Sequence, residues 1–508
     1  VFVPVKSVHF IGIAGTAMAA AAVAMRDKGF RVTGSDENVY PPMSTFLAER
    51  QIEIARGYSE QNLAHRPDLV VIGNAISRGN PEAEYVLERR LRYCSLPELL
   101  KEYFLRGRRS LVVAGTHGKT TTTALLAWVF EHNGRRPSFL IGGLPNNFGQ
   151  GARFTDSEWF IIEGDEYDTA FFDKRSKFVH YLPEVAILNN LEFDHADIFE
   201  NLAAIQKAFS HLIRLVPRNG LVLANGDDPN LASLLEVQHC PVRRFGFGSA
   251  NGVRAERIVL DAHASRFSVK EVGGGGLTAR AARRGGSDDA EATAEFEVPL
   301  VGELNVRNAL AVVACARHCG LTDTQIQAAF RTFTGLKRRQ EVRGVRGGVT
   351  VVDDFGHHPT AIRETLRALR VRFPGRRLWA VFEPRSNTTR RNVFQRELAE
   401  ALSWADAAVV SQVARLDQLP ASERLDPDRL LHDLQQSARR QPPIAAQGAG
   451  SSPARSPRPS SLDRYLPTVD AIVDHLGQHA RPGDVVCVFS NGGFGGIHEK
   501  LLARFGEH

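Results

Sequence analysis

The run Gly115-Thr116-His117-Gly118-Lys119-Thr120-Thr121 follows the apolar stretch Ser110-Leu111-Val112-Val113-Ala114 and opens a helical pattern. Glycine, lysine and hydroxyl side chains therefore meet where a strand turns into a helix. That combination makes a phosphate cradle. The glycines let backbone amides wrap phosphate oxygens, the helix N-terminus adds positive potential, Lys119 adds a full charge, and Thr120 can reach a magnesium ion. The nucleotide expected there is ATP. Val113 stands where the general motif begins with glycine, leaving the narrower spacing G-x-x-G-K-T-T.

A chain of 508 residues exceeds one core and, at roughly 100 to 200 residues per domain, predicts three. The 63 Lys and Arg against 57 Asp and Glu leave a net charge of +6, but the basic residues are scattered, so nucleic acid is not an expected partner. Five cysteines at positions 94, 240, 315, 319 and 487 form no closely spaced disulfide framework and fit a reducing compartment. Cys315 and Cys319 fall on an apolar helical stretch and read as core thiols. Met18 to Met25 follows Gly12 and Gly15 and reads as a helix after a strand rather than a signal core. No apolar run approaches the ~20 residues that cross a bilayer, so no membrane insertion and a cytoplasmic location are expected.

Three units of α/β character follow one another. Residues 1–107 begin with Val8-His9-Phe10-Ile11, a Gly12 to Gly15 turn, a helix from Ala17, and the run Arg31 to Asp36: a Rossmann-like unit whose third fingerprint glycine is replaced by Ala17. Asp68 to Ala75 adds a strand ending in a small-residue loop. Residues 108–335 carry the phosphate loop in a P-loop ATPase-like domain. There Trp159 to Glu163 runs into Gly164-Asp165-Glu166, and Val185 to Asn190 runs into Leu191 to Asp197; such strand ends can converge on a metal beside a triphosphate, with His195 a candidate ligand. Residues 336–508 form a second Rossmann-like unit, with polar residues gathered after Val349 to Asp354 and Leu378 to Phe382. Gly273 to Gly276 with Arg280 to Asp289, and Ser437 to Ser461, lack core-forming residues and read as a mobile loop and a disordered insertion.

The ordered set Val113 to Thr122, Glu163 to Asp168, Asn189 to His195, Asn305 to Asn308 and Asp353 to Pro359 resembles the ATP-dependent Mur ligases of peptidoglycan synthesis over nearly the whole chain. Tyr40 to Thr45, Phe171 to Phe178, Glu383 to Thr388 and Ser490 to His498 resemble the branch of that family that reattaches recovered murein peptide. The L-alanine-adding branch usually carries a histidine-arginine motif where Glu383 to Thr388 stand. The resemblance implies that UDP-N-acetylmuramate is joined to the tripeptide L-alanyl-γ-D-glutamyl-meso-diaminopimelate through an acyl phosphate, with ATP giving ADP and phosphate in peptidoglycan recycling.

The same resemblance carries roles onto individual residues. Lys119, His195, Arg339 and Asp354 are the implied catalytic set. Gly115 to Thr121, Asn308, Arg339, Asp354 and His358 would surround ATP. Gly12, Gly15, Ser35, Asp36 and Asn74 would surround the UDP-sugar. Thr120, Glu163, Glu166 and His195 would hold Mg2+, as two ions; which of the two glutamates contacts metal stays open. Arg385 and Asn387 are candidates for the acceptor peptide, Arg385 by pairing with a carboxylate or, equally, as a structural ion pair. Lys207 reads as a surface lysine on the helix Leu202 to Arg214 rather than as a carbamylated metal support.

Two positions depart from the family. Gly302-Glu303-Leu304-Asn305 stands where G-x-H-N is general, removing an imidazole near the nucleotide, and Gly164 replaces an alanine. Addition of L-alanine to the same nucleotide sugar, and a nucleotide-binding regulator that has lost turnover through Leu304, are the alternative readings.

Overall fold

The computed structural model describes residues 4–40, 43–272, 293–440 and 462–506. The loop expected at Gly273 to Asp289 and positions 441–461 of the second insertion lie outside them, as do Pro41 and Pro42 of the Tyr40 to Thr45 motif. The insertion expected from Ser437 starts later than anticipated, because the helix Pro427–Arg440 runs through positions 437–440.

Apolar runs without alternation become parallel strands covered on both faces. Leu69–Ile72 and Leu378–Phe382 are buried at every residue. The first sheet has the order Glu53–Arg56, Arg31–Asp36, Ser7–Ile11, Leu69–Ile72, Tyr93–Ser95, all parallel. Its order reverses between Ser7–Ile11 and Leu69–Ile72, which is where an open α/β sheet leaves a crevice. Gly12, with φ +84°, and Asn74 follow those two strands. Alanine-rich Thr16–Asp27, with high helix propensity, packs behind them.

The central sheet has ten strands. Arg109–Ala114 lies between Pro183–Leu188 on one side and Trp159–Glu163 on the other, all parallel, so the ends carrying Gly115, Asn189 and Glu163 adjoin. Val253–Leu260, Ser265–Glu271 and Thr293–Val298 extend one edge, the last two antiparallel. The helix Lys119–His132 is buried nearly all round, its four threonines included, because it is enclosed between this sheet and the helix Glu303–His318. Cys315 and Cys319 are buried in that core.

The third sheet has six strands, with Val349–Asp354, Val485–Phe489 and Leu378–Phe382 adjacent and parallel at its centre. Their ends carry Asp354, Ser490 and Glu383 toward the central domain. No helix among the described residues is long and apolar enough to cross a membrane.

Candidate active site

The phosphate loop takes its shape from backbone that only glycine holds comfortably. Gly118 caps the helix Lys119–His132 at φ +77°, and a Cβ there would sit 2.4 Å from Asn308 Oδ1. A Cβ at Gly115 would lie 3.0 Å from Asn189 and 3.1 Å from the Asn190 backbone. Asn190 Oδ1 accepts the His117 amide at 2.7 Å, fixing the loop from the neighbouring strand end.

Lys119, Glu163, Glu166 and His195 form one cluster, with Glu166 buried and the other three half-buried. Lys119 Nζ donates to Glu166 Oε1 at 2.7 Å and to the Gly115 carbonyl at 2.6 Å. Burial pulls the ammonium down, but Glu166 and Glu163 outweigh it and hold Lys119 above its usual range. His195 Nε2 lies 2.8 Å from the same Glu166 oxygen. The imidazole is likewise raised, burial being overcome by Glu166 and Asp194. Thr120 Oγ1 donates to Glu163 Oε1 at 3.0 Å, and the Gly142 amide holds Oε2 at 2.7 Å. Glu163 is pushed up by burial despite Lys119.

Glu166 Oε2 is buried and makes no hydrogen bond. A buried carboxylate oxygen left open costs free energy unless something occupies its lone pairs. With Thr120, Glu163 and His195 around it, the donors are oxygens and one imidazole, a set that suits a divalent cation. The residues present therefore fit Mg2+.

The C-terminal domain closes over this cluster. Arg339 donates to Thr120 Oγ1 at 3.2 Å. Asp354 accepts the Gln340 amide on Oδ2 at 2.9 Å, which organises the segment that carries Arg339, and the Gly356 amide on Oδ1 at 2.8 Å, which shapes the turn after its own strand. Burial raises its carboxyl. His358 caps the helix Pro359–Arg372 and reaches the Phe193 carbonyl at 3.1 Å; burial holds its imidazole down at about 3. Thr388 Oγ1 donates to Asp194 at 2.8 Å, and Asn387 Nδ2 to Asp197 at 2.7 Å. Asn387 Oδ1 also accepts from Arg390, so its amide ties two domains together. Arg385 keeps its guanidinium free for more: its nearest acid is Glu383 at 3.5 Å, and its side chain is 42% exposed.

A continuous cavity of about 1800 Å3 joins Gly15 and Asn74 of the first domain to the phosphate loop and to Arg339, His358 and Arg385 of the third. A pocket for one small ligand encloses roughly 300 to 1,000 Å3. This one has the size for two nucleotides. Of the first-domain residues expected around a UDP-sugar, Gly15 and Asn74 line it. Ser35 is wholly buried and donates to Glu82 at 2.6 Å, and Asp36 receives the Ala14 amide at 2.9 Å, so both shape the turn from behind. Leu304 lines the cavity one turn before Asn308. Gly164 packs so tightly that a Cβ would lie 3.1 Å from Ala114, Val112 and Val113.

Sequence reasoning passed over Glu192, Asp194, Lys177 and Tyr167. Lys177 Nζ donates to Asp165 at 2.6 Å, and the Tyr167 ring packs against His195 with centroids 4.2 Å apart and the planes tilted by 57°. Asp194 and Glu192 lie in the quoted Leu191 to Asp197 run. An acid flanking a candidate ligand was the available signal.

Three family models cover the chain: Mur ligase family, catalytic domain, over residues 7–108; Mur ligase middle domain over 113–316; and Mur ligase, glutamate ligase domain, over 338–492. The chain belongs to the Mur ligase family. Its members are ATP-dependent ligases that form C–N bonds and use Mg2+, and this chain is such an enzyme. It is 44% identical over 500 residues (98% of this chain, 99% of the relative) to UDP-N-acetylmuramate--L-alanyl-gamma-D-glutamyl-meso-2,6-diaminoheptandioate ligase of Haemophilus influenzae, and 43% identical over 496 residues (97% of each) to the ligase of the same name from Escherichia coli. A crystal structure of a murein peptide ligase from Psychrobacter arcticus is 37% identical, covers 99% of both chains and superposes with a TM-score of 0.67. The UDP-N-acetylmuramate-alanine ligase of Thermotoga maritima, 21% identical and covering 99% of both chains, shares the fold with a TM-score of 0.73.

Proposed function

We propose that this ligase joins L-alanyl-γ-D-glutamyl-meso-diaminopimelate to UDP-N-acetylmuramate in the cytoplasm, consuming ATP, as a step of peptidoglycan recycling. The observation that carries the reading is the continuous cavity, in which the first-domain crevice, the phosphate loop and Arg385 all face one space. The sequence similarity to ligases named for that reaction supports the choice of acceptor. L-alanine-adding relatives such as that of Polaromonas match at 31%.

The chemistry follows from the acid. A free carboxylate has oxide as its leaving group, so its oxygen must first take the γ-phosphoryl of ATP. The lactyl carboxylate attacks the γ-phosphorus, the bond to the β-phosphate oxygen breaks, and ADP leaves. The peptide's α-amine then attacks the acyl carbon, and the tetrahedral oxyanion collapses with expulsion of phosphate. Both transition states spread negative charge over oxygens, so catalysis needs fixed cations rather than an enzyme nucleophile.

Lys119, now shared between Glu166 and the Gly115 carbonyl, turns to the β- and γ-phosphates when ATP fills the loop. Arg339 approaches the same phosphates from the third domain, held in line by Asp354 through the Gln340 amide. Thr120 with Glu163, and His195 with Glu166, are the residues that would hold two Mg2+ ions. When bound, the metal offsets charge on the triphosphate and the transferring group. Asn308 and His358 flank the nucleotide, and Arg385 pairs with a carboxylate of the peptide. The site is complete only with the domains together.

Phosphate release with each acceptor tests the reading. Release that requires both UDP-N-acetylmuramate and the tripeptide is expected. Dependence on L-alanine would transfer the chain to the sibling reaction, and tight ATP binding without turnover would make it a regulator crippled by Leu304.

A further inference from the structure

Two phenylalanines stand at the tip of a hairpin, where turn chemistry favours Gly, Asn or Asp. The strands Asp168–Ala170 and Asp173–Ser176 pair antiparallel with Ala170 opposite Asp173, so Phe171 and Phe172 make the whole turn. An apolar tip on a hairpin is unfavourable unless another surface covers it. Here that surface is the first domain. Phe171 and Phe172 pack against a cluster that includes Ile11, Val70, Ile72 and Ile76. The Phe172 ring also meets Tyr93 edge-on, with centroids 4.9 Å apart.

The face of the sheet that they cover decides what the contact does. Side chains alternate along a strand, so Leu69 and Val71 join the core behind the helix Thr16–Asp27, whereas Val70 and Ile72 face the hairpin. On the first face the sheet is already joined to the central domain, because that core runs on through Leu100 and Phe104 to Phe160 and Phe178. Domains that meet through one modest contact ordinarily move relative to each other. The hairpin adds a second contact on the opposite face. A sheet gripped on both faces is held against rocking about either.

Both ends of the hairpin lead to the site. Four residues, Tyr167 to Ala170, separate Glu166 from Phe171. The base is fixed by the Lys177 amide, which donates to the Tyr167 carbonyl at 2.9 Å, and by Lys177 Nζ, which donates to Asp165 at 2.6 Å. Thr169 Oγ1 donates to the Arg175 carbonyl at 2.8 Å and ties the two strands. At the tip, the Ile76 amide donates to the Gly73 carbonyl at 3.1 Å and closes the turn that carries Asn74. Ile76 Cδ1 would lie 3.6 Å from a Cβ at Gly12. The rings therefore press on the floor of the first-domain crevice.

We propose that Phe171 and Phe172 are positioning residues that set this crevice in register with Glu166 and the phosphate loop, so that the sugar's carboxylate meets the γ-phosphorus; this rests on the proposed phosphoryl transfer. Neither ring lines the cavity, so neither binds a nucleotide directly. Reacting atoms must approach to about 3 to 3.5 Å, and a displacement of about 1 Å costs on the order of a hundredfold in rate.

Full-length enzyme carrying Phe171→Ala and Phe172→Ala tests this by ADP release at saturating ATP, UDP-N-acetylmuramate and whichever acceptor the parent turns over. The kcat is expected to fall about a hundredfold. The Kd for ATP alone and for UDP-N-acetylmuramate alone, by calorimetry, should each stay within about twofold, since each site belongs to its own domain. Those two affinities also report that both domains are folded; if the alanine pair does not fold, Phe172→Ala by itself is read in the same way. Phe171→Leu with Phe172→Leu keeps an apolar contact and is expected to recover most of kcat. An unchanged kcat in the alanine variant overturns the proposal, as does a fall matched by weaker binding of either nucleotide alone, or a leucine variant as slow as the alanine one. A parent that takes L-alanine in place of the tripeptide would overturn the acceptor reading only, whereas a parent without turnover would overturn both.

Discussion

Glu82 in the first domain and Glu166 in the second are carboxylates buried to nearly the same depth, 0% and 3% exposed, but their oxygens are treated differently. Glu82 is saturated: Oε1 accepts from the Ser59 amide and from Asn62, Oε2 accepts from Ser35, and His9 lies 3.4 Å away. Glu166 has the Lys119 ammonium and the His195 imidazole on Oε1 and nothing on Oε2. A carboxylate that holds a fold together uses every lone pair, whereas one that serves a ligand keeps some in reserve at a cost in stability. Both are held below the usual carboxylate range against their burial, Glu82 by His9, Ser35 and Asn62, Glu166 by Lys119 and His195.

The largest effect belongs to the cation that Glu166 keeps in place. Lys119→Ala is expected to lower turnover at least about a thousandfold, since it removes a full charge from the transferring phosphoryl. Binding of the UDP-sugar, measured by calorimetry, should stay nearly unchanged. Full activity in that variant would sink the assignment of the loop.

Glu166→Gln sharpens the contrast directly. Turnover is expected to drop about a hundredfold, while the melt shifts by the equivalent of about 1 kcal/mol or less, because Glu163 and Asp165 still neutralise Lys119. Glu82→Gln should do the reverse. Its new amide would face the donors of Ser59 and Asn62 or Ser35, costing about 1 to 3 kcal/mol in denaturant unfolding with the ATP step intact. If both variants lost stability equally, the distinction between saturated and reserved carboxylates would fail.

The same pair predicts an acid response. Glu82 has a folded pKa below its unfolded value of 4.5. Its contribution is therefore complete above pH 4.5 and is lost as the pH falls through the folded value. Glu82→Gln should flatten the fall in stability below pH 4.5, and an unchanged acid limb would show that Glu82 is not a source of it.

What could be read in advance follows the same division. Strands such as Trp159–Glu163 and Leu378–Phe382, and the helix Leu202–Arg214 with Lys207 exposed on it, stand where apolar runs and periodicity placed them, because both signals are local. The phosphate loop was legible because its glycines answer to backbone geometry. Glu82 was not: it sits on a helix at Pro81–Glu88, and only the fold brings His9, Ser35 and Asn62 to it. Ser35 and Asp36 were legible as a turn beside the crevice, but not the partners they engage, Glu82 and the Ala14 amide, which lie on other elements that only the fold brings near. The Thr388 to Asp194 and His358 to Phe193 contacts span 194 and 165 positions, a separation that no motif records.

The smallest expected effect tests where the reserve of charge ends. Arg385 pairs only loosely with Glu383, at 3.5 Å, and packs over Gly492, where a Cβ would lie 2.5 Å from its Nε. A guanidinium so placed is half in solvent and contributes little to the fold. On the proposed role, its worth comes from a ligand. Arg385→Ala should therefore raise KM for the tripeptide about tenfold, with kcat and KM for ATP nearly constant and the melt unmoved. Arg385→Lys should recover only part of the loss, because an ammonium cannot reproduce the two parallel hydrogen bonds of a guanidinium to a carboxylate. A lower melting point with no change in KM would instead make Arg385 the saturated kind of residue, a structural partner of Glu383, and would move peptide recognition elsewhere in the cavity.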